Sequence, residues 1–158
     1  MASSHENDDI KQPYAELSRR DIRSLIFHLL YAMDSFNYED SLESIVTRFN
    51  RGYDLDIPLD SEVVITTQAV VDQRDELDQK LKPFLHNWRL ERVGLATKLI
   101  LRLAMWELES RTVSHSIVLN EAIELAKCFA EKDAYKFING ILDEAVKANY
   151  SDGEVTTE

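Results

Sequence analysis

Residues 95–108 read Leu-Ala-Thr-Lys-Leu-Ile-Leu-Arg-Leu-Ala-Met-Trp-Glu-Leu, and this stretch decides the architecture. Wound as a helix, it turns apolar side chains to nearly every side: Leu95, Leu99, Ile100, Leu101, Leu103, Ala104, Met105, Trp106 and Leu108. A helix that is apolar all round belongs in the middle of a structure. The segment therefore reads as the central helix of the second half of the chain. Lys98 and Arg102 interrupt it, and it is far shorter than the about 20 apolar residues needed to cross a bilayer.

Helical periodicity continues on both sides. Downstream, residues 112–116 form a connector and a helix runs over about 116–129. The last helix begins at Asp133, a good N-cap. It sets Ala134, Phe137, Ile138, Ile141, Leu142 and Ala145 on one face. Upstream, Pro83 breaks the pattern and leaves a short helix or turn through Leu85. A helix capped by Asp60 or Ser61 runs to about Leu77, Pro58 lies in a loop, and a helix over about 41–50 stops at Arg51-Gly52. The first helix opens at Ser18, with Asp21 three residues on to complete a capping box. Its stripe of Ile22, Leu25, Ile26, Leu29, Leu30 and Met33 follows a helical period. Val63-Val64-Ile65 has β-propensity, but its flanks favour a helix. No segment repeats at a fixed period, which excludes a solenoid. The fold class is all-α, about seven helices. Residues 18–148 form one helical domain, with an N-terminal bundle over about 18–85 and a C-terminal bundle over about 88–148. Residues 1–17 and 149–158 are polar and acidic and read as mobile tails.

Composition agrees. Four Gly and three Pro in 158 residues leave long uninterrupted stretches. A single cysteine, Cys128, forms no internal disulfide and cannot by itself build a zinc site. The polar, acidic start is not a secretory signal, and a reduced, cytoplasmic setting with no membrane association is expected. The net charge of −11 opposes non-specific attachment to nucleic acid, so any RNA must be held by a local basic patch.

Chemistry-bearing motifs are absent. There is no Gly-rich phosphate loop, no HExxH and no GxSxG. His5, His28, His86 and His115 lack ligand spacing, and no carboxylate pair stands out as an acid/base couple. The chain reads as a binding protein, not an enzyme, without metal or cofactor. On the first helix, Arg20, Arg23, Phe27, Tyr31 and Asp34 cluster opposite the apolar stripe. Aromatics beside guanidinium groups suit base stacking or a protein contact; a second helical layer covering Phe27 and Tyr31 would account for them equally well. Gly140 in the last helix points to close approach of a neighbouring helix. Cys128 reads as a packing residue, Trp88 and Trp106 as core or partly buried anchors, and Arg102 as a structural partner for Trp106.

The run Val118-Leu119-Asn120-Glu121-Ala122-Ile123-Glu124-Leu125-Ala126-Lys127, followed by Asp133 and then Lys136-Phe137-Ile138-Asn139-Gly140-Ile141-Leu142-Asp143, resembles the C-terminal signature of the NusB family of transcription antitermination factors. Residues 101–108 look like that family's central helix, and Arg19-Arg20, Arg23 and Leu29-Leu30-Tyr31 like its N-terminal start. The resemblance covers about residues 18–148. It implies an all-helical fold of two small packed bundles and no enzymatic activity. It also implies pairing with NusE, a protein of the small ribosomal subunit, and joint binding of single-stranded boxA-type RNA in support of rRNA operon transcription within the elongation complex. By position, Arg19, Arg20, Arg23, Asp133, Lys136 and Phe137 would face RNA. Tyr31, Phe27, Thr97 and Lys98 would face the protein partner. Asp21 stands where the family often continues its arginine run, and Thr97 where an acidic residue commonly helps bind NusE. A NusB-like adaptor with little RNA affinity and an RNA-guiding subunit of a separate RNA-modifying enzyme are the alternatives. A homo-oligomer is compatible with the sequence.

Overall fold

The computed structural model describes residues 13–149, so the tail residues 1–12 and 150–158 lie outside it. Seven α-helices carry the described chain: α1 (Arg19–Ser35), α2 (Leu42–Gly52), α3 (Glu62–Asp72), α4 (Arg74–Leu85), α5 (Leu95–Ser110), α6 (His115–Phe129) and α7 (Ala134–Asn149). No strand occurs among the described residues. No helix among them is long and apolar enough to cross a membrane.

The chain divides into two compact units, the first ending at Gln68 and the second starting at Ala69. That division lies inside α3, whereas the sequence pattern put it between 85 and 88. The reason is α4, which packs against α5 and α7. Its Leu77, Leu81 and Leu85 are all buried.

In the first unit the capping box at α1 forms as expected. Ser18 Oγ accepts the Asp21 N–H at 3.0 Å, and Asp21 Oδ2 accepts the Ser18 N–H at 3.3 Å. α1 packs on α2, and α2 starts at Ser41, whose Oγ accepts the Ser44 N–H at 3.1 Å. The stripe is buried except at Leu25, which is half-buried. Residues 13–17, read as tail, hold a short 3-10 turn at Tyr14–Glu16. Tyr14 Oη accepts the Val63 N–H at 3.3 Å.

The expected single helix to about Leu77 is two helices. The break is at Gln73 (φ −101°, ψ 12°). There Arg74 Nη1 donates to the Val71 carbonyl at 2.7 Å. Pro83 sits within the last turn of α4, which ends two residues later.

In the second unit α4, α6 and α7 all pack on α5, and α6 also packs on α7. Every residue from Leu99 to Met105 is buried, so the all-round apolar segment is the central helix. Each fully buried leucine there stabilises the fold by about 1.5–3 kcal/mol. Arg102 is buried with them and meets Asp78 of α4, with Nε–Oδ1 and Nη2–Oδ2 both at 2.7 Å. A two-pronged bond of this kind matches guanidinium to carboxylate geometry.

Candidate functional site

Each unit carries a part of the expected binding surface. In the first unit, Arg19 at the start of α1 is exposed and already paired. Its Nη1 donates to Glu62 Oε1 at 2.6 Å, and its Nη2 lies 2.5 Å from Oε2. The hydrogen bond from Arg19 holds the Glu62 carboxyl below its ordinary range, with the charges of Arg19 and Arg23 adding to the effect against partial burial. Arg20 is exposed. Arg23 is only 4% exposed and Phe27 only 3%, whereas Tyr31 is 44% exposed.

The expected aromatic-arginine face therefore splits. At about 100° per residue, Arg20 and Tyr31, eleven positions apart, share a direction, while Arg23 and Phe27 lie nearer the stripe. The buried sector of α1 extends past Leu30 to take in those two and leaves Leu25 half-covered on its other edge. Of the two readings for Phe27, the covered one holds. Its ring lies 6.1 Å from that of Tyr31 and supports it from behind.

In the second unit, the loop between α6 and α7 and the start of α5 enclose an open hollow of about 220 Å³. Trp88, Thr97, Glu131, Lys132, Asp133 and Phe137 are among its walls. Trp88 is 61% exposed, not a core anchor. Its ring meets the half-buried Phe137 edge-on, with centroids 5.7 Å apart and planes at 67°. Its neighbours His86, Asn87 and Arg89 are polar, which is the sequence signal for a surface tryptophan.

Asp133, directly before α7, has a left-handed backbone with φ 68°. Lys136 on the first turn of α7 points its Nζ at Asp133 Oδ1 across 3.8 Å, and both are exposed. Lys136 and Lys127 flank the Tyr135 ring, at 5.9 and 5.0 Å from its centroid.

Thr97 is buried and donates from Oγ1 to Glu131 Oε1 at 3.3 Å. The same carboxylate lies over Gly94, the residue before α5, where a Cβ would come within 2.6 Å of Oε2. Glu131 thus places negative charge at the positive end of α5. Lys98, next in sequence, opens instead on a separate cavity of about 280 Å³ shared with Asp75, Asp78 and Glu91. Thr97 and Lys98, expected on one partner face, line different hollows.

Two further expectations change. Nothing lies within 4 Å of a Cβ built on Gly140, and that residue is exposed, so no neighbouring helix demands glycine there. Cys128 is exposed, not packed. The pattern could not separate these cases, because α7 and α6 each pair one buried face with one open face. Sequence reasoning did not single out Glu131 or Lys132.

The hollow in the second unit offers aromatic rings, the Lys132 ammonium and the Glu131 and Asp133 carboxylates on a mostly open surface. Such a set can stack on flat rings and grip phosphate or peptide groups. It brings together no nucleophile and base.

Comparison with known proteins gives a consistent result. The NusB family model matches residues 20–147. The transcription antitermination protein NusB of Psychromonas ingrahamii is 44% identical over 112 residues, covering 68% of this chain and 74% of that protein. Its counterpart in Macrococcus caseolyticus is 33% identical over 131 residues, covering 83% and 98%. Among solved structures, T. maritima NusB aligns with a TM-score of 0.71 at 26% identity, over 83% of this chain and 92% of that one. A crystal structure of the antitermination factors NusB and NusE in complex with dsRNA aligns with a TM-score of 0.69 at 22% identity, over 82% and 96%; at that identity the likeness speaks for the fold.

Proposed function

The chain belongs to the NusB family, and from that premise we propose that it is a transcription antitermination factor that binds single-stranded boxA-type RNA jointly with a NusE-type protein. In this reading it acts in the cytoplasm, within the elongation complex, to support transcription of rRNA operons. It works by holding its partners and performs no reaction of its own.

The observation that carries the RNA half is the Trp88–Phe137 pair beside Lys132 and Lys136. Proteins that read single strands stack bases on aromatic rings and hold the backbone with nearby cations. Asp133 at the same edge accepts hydrogen bonds from a base. On the first unit, Arg19 and Arg20 serve phosphates, and the buried Arg23 acts behind them through Glu62. The protein half rests on Tyr31, which offers an exposed ring backed by Phe27. Lys98 is a further contact for the partner, and Thr97 positions Glu131 beside the hollow. The relatives' names support the antitermination half of the assignment.

A second reading, a protein adaptor with little RNA affinity, is favoured by the Arg19–Glu62 pair together with the net charge of −11. Fluorescence anisotropy separates the two. A labelled boxA RNA and a shuffled one are titrated with the chain, with and without a NusE-type protein, at two salt concentrations. The proposal expects boxA preference, tighter binding once the partner is present, and a loss of about fivefold to a hundredfold on Trp88→Ala, the worth of one stacked base. Equal binding of boxA and shuffled RNA in both arms leaves the adaptor.

A further inference from the structure

Leu25 is the one member of the α1 stripe that its own unit leaves half-covered. It opens on a trough of about 780 Å³ between the first half of α1 and the segment after α2. Leu17 and Leu55 line it half-buried, Tyr53 stands 68% exposed on its rim, and Ile57 closes the floor at 4% exposure. The volume falls within the about 300–1,000 Å³ of ligand sites.

The walls are held in place by the fold. Asn50 braces Ile57 in both directions, accepting its N–H at 2.9 Å and donating to its carbonyl at 3.1 Å. The Leu55 N–H donates to the Asn50 carbonyl at 2.9 Å. At the far end Tyr14 is tied to the Val63 backbone. A site whose walls are already ordered loses little entropy when it is filled.

Its charge is of one sign. Asp21, Asp54 and Asp56 line it, and no Lys, Arg or His does. Phosphate backbones are therefore repelled. A second copy of this chain, at −11, is also electrostatically mismatched. The chain's own residues 1–12 carry Glu6, Asp8 and Asp9 against Lys11, again the wrong sign.

We propose that this trough docks a short basic segment of a partner protein, its apolar side chains between α1 and the Tyr53 loop and its lysines or arginines against Asp54 and Asp56. Its walls share no residue with those of the hollow assigned above to RNA.

The test uses the full chain, 15N-labelled, titrated with four synthetic peptides. One alternates lysine and leucine, one replaces its leucines by serine, one replaces its lysines by glutamate, and one reproduces residues 1–12. The lysine–leucine peptide is expected to shift the amides of Leu17, Leu25, Tyr53 and Leu55. Asp54→Asn with Asp56→Asn is expected to weaken it about fivefold, the worth of two exposed charge pairs. Asparagine tolerates the left-handed backbone of Asp54 (φ 57°), so the substitution adds no backbone strain there. The control pair Asp75→Asn with Glu76→Gln, on α4, leaves the affinity unchanged. Equal binding of the serine or glutamate peptide overturns the proposal, as do shifts that avoid the trough. Tighter binding of the 1–12 peptide overturns it in favour of the chain's own segment.

Discussion

Asp78→Ala removes one partner of the buried Arg102 pair, and the cost follows from the geometry. Arg102 keeps two charge-assisted bonds at 2.7 Å, and the two side chains are 8% and 18% exposed. Without Asp78 the guanidinium stays among the apolar residues of α5 and loses both of these bonds. Breaking such a pair from one side costs about 3–5 kcal/mol. That is a large part of the about 5–15 kcal/mol by which a domain is stable. For a chain of this length it lowers the melting temperature by roughly 6–20 °C. The readout is built in, because both tryptophans, Trp88 and Trp106, lie in the second unit. Urea unfolding followed by their fluorescence should show a lower midpoint with an unchanged slope. Asp78→Leu combined with Arg102→Met should recover most of the loss, since apolar groups of similar size replace a buried pair at little cost. A loss below about 1 kcal/mol for Asp78→Ala, the range of an exposed pair, would refute the reasoning. So would a double variant as unstable as the single one.

Three further outcomes are expected. Glu62→Gln removes the charge that Arg19 pairs with, so under the proposed function RNA affinity rises about twofold to fivefold, while stability changes by at most about 1 kcal/mol; anisotropy titration checks the first and thermal melting the second. Gly140→Ala raises stability by about 1 kcal/mol, since its Cβ meets open space and the helix gains propensity; a lower urea midpoint contradicts the open face. Burial holds His28 below its ordinary pKa, so the unfolded chain takes up a proton more readily than the folded one. Stability is then full above about pH 6.5 and falls as the pH drops below it. His28→Gln should flatten that fall in urea midpoints measured across this range.

Long periodic segments were legible from sequence because burial repeats with the helical turn. The capping box at Ser18 and Asp21 and the central α5 both appear where the pattern put them. Helix breaks were less legible. Nothing local at Gln73 announces the end of α3, because no Pro or Gly stands there to interrupt the pattern. The candidate site divided along the same line. Phe27 and Trp88 were each given an ambiguous role, and the outcome turned on which sector of α1 is covered and on a loop that turns its tryptophan outward. The pairing of Arg19 with Glu62 spans 43 positions and leaves no periodic trace. Charge runs reveal where cations are, but not which carboxylate reaches them first.

Glu131 reaches from the α6–α7 loop onto Gly94, where even a methyl group would collide with it. The atoms met are the far end of an exposed, flexible side chain, so a methyl group at position 94 is accommodated when that chain swings aside. What such a variant gives up is the carboxylate's seat over the first turn of α5, a local electrostatic loss that leaves the helix packing intact.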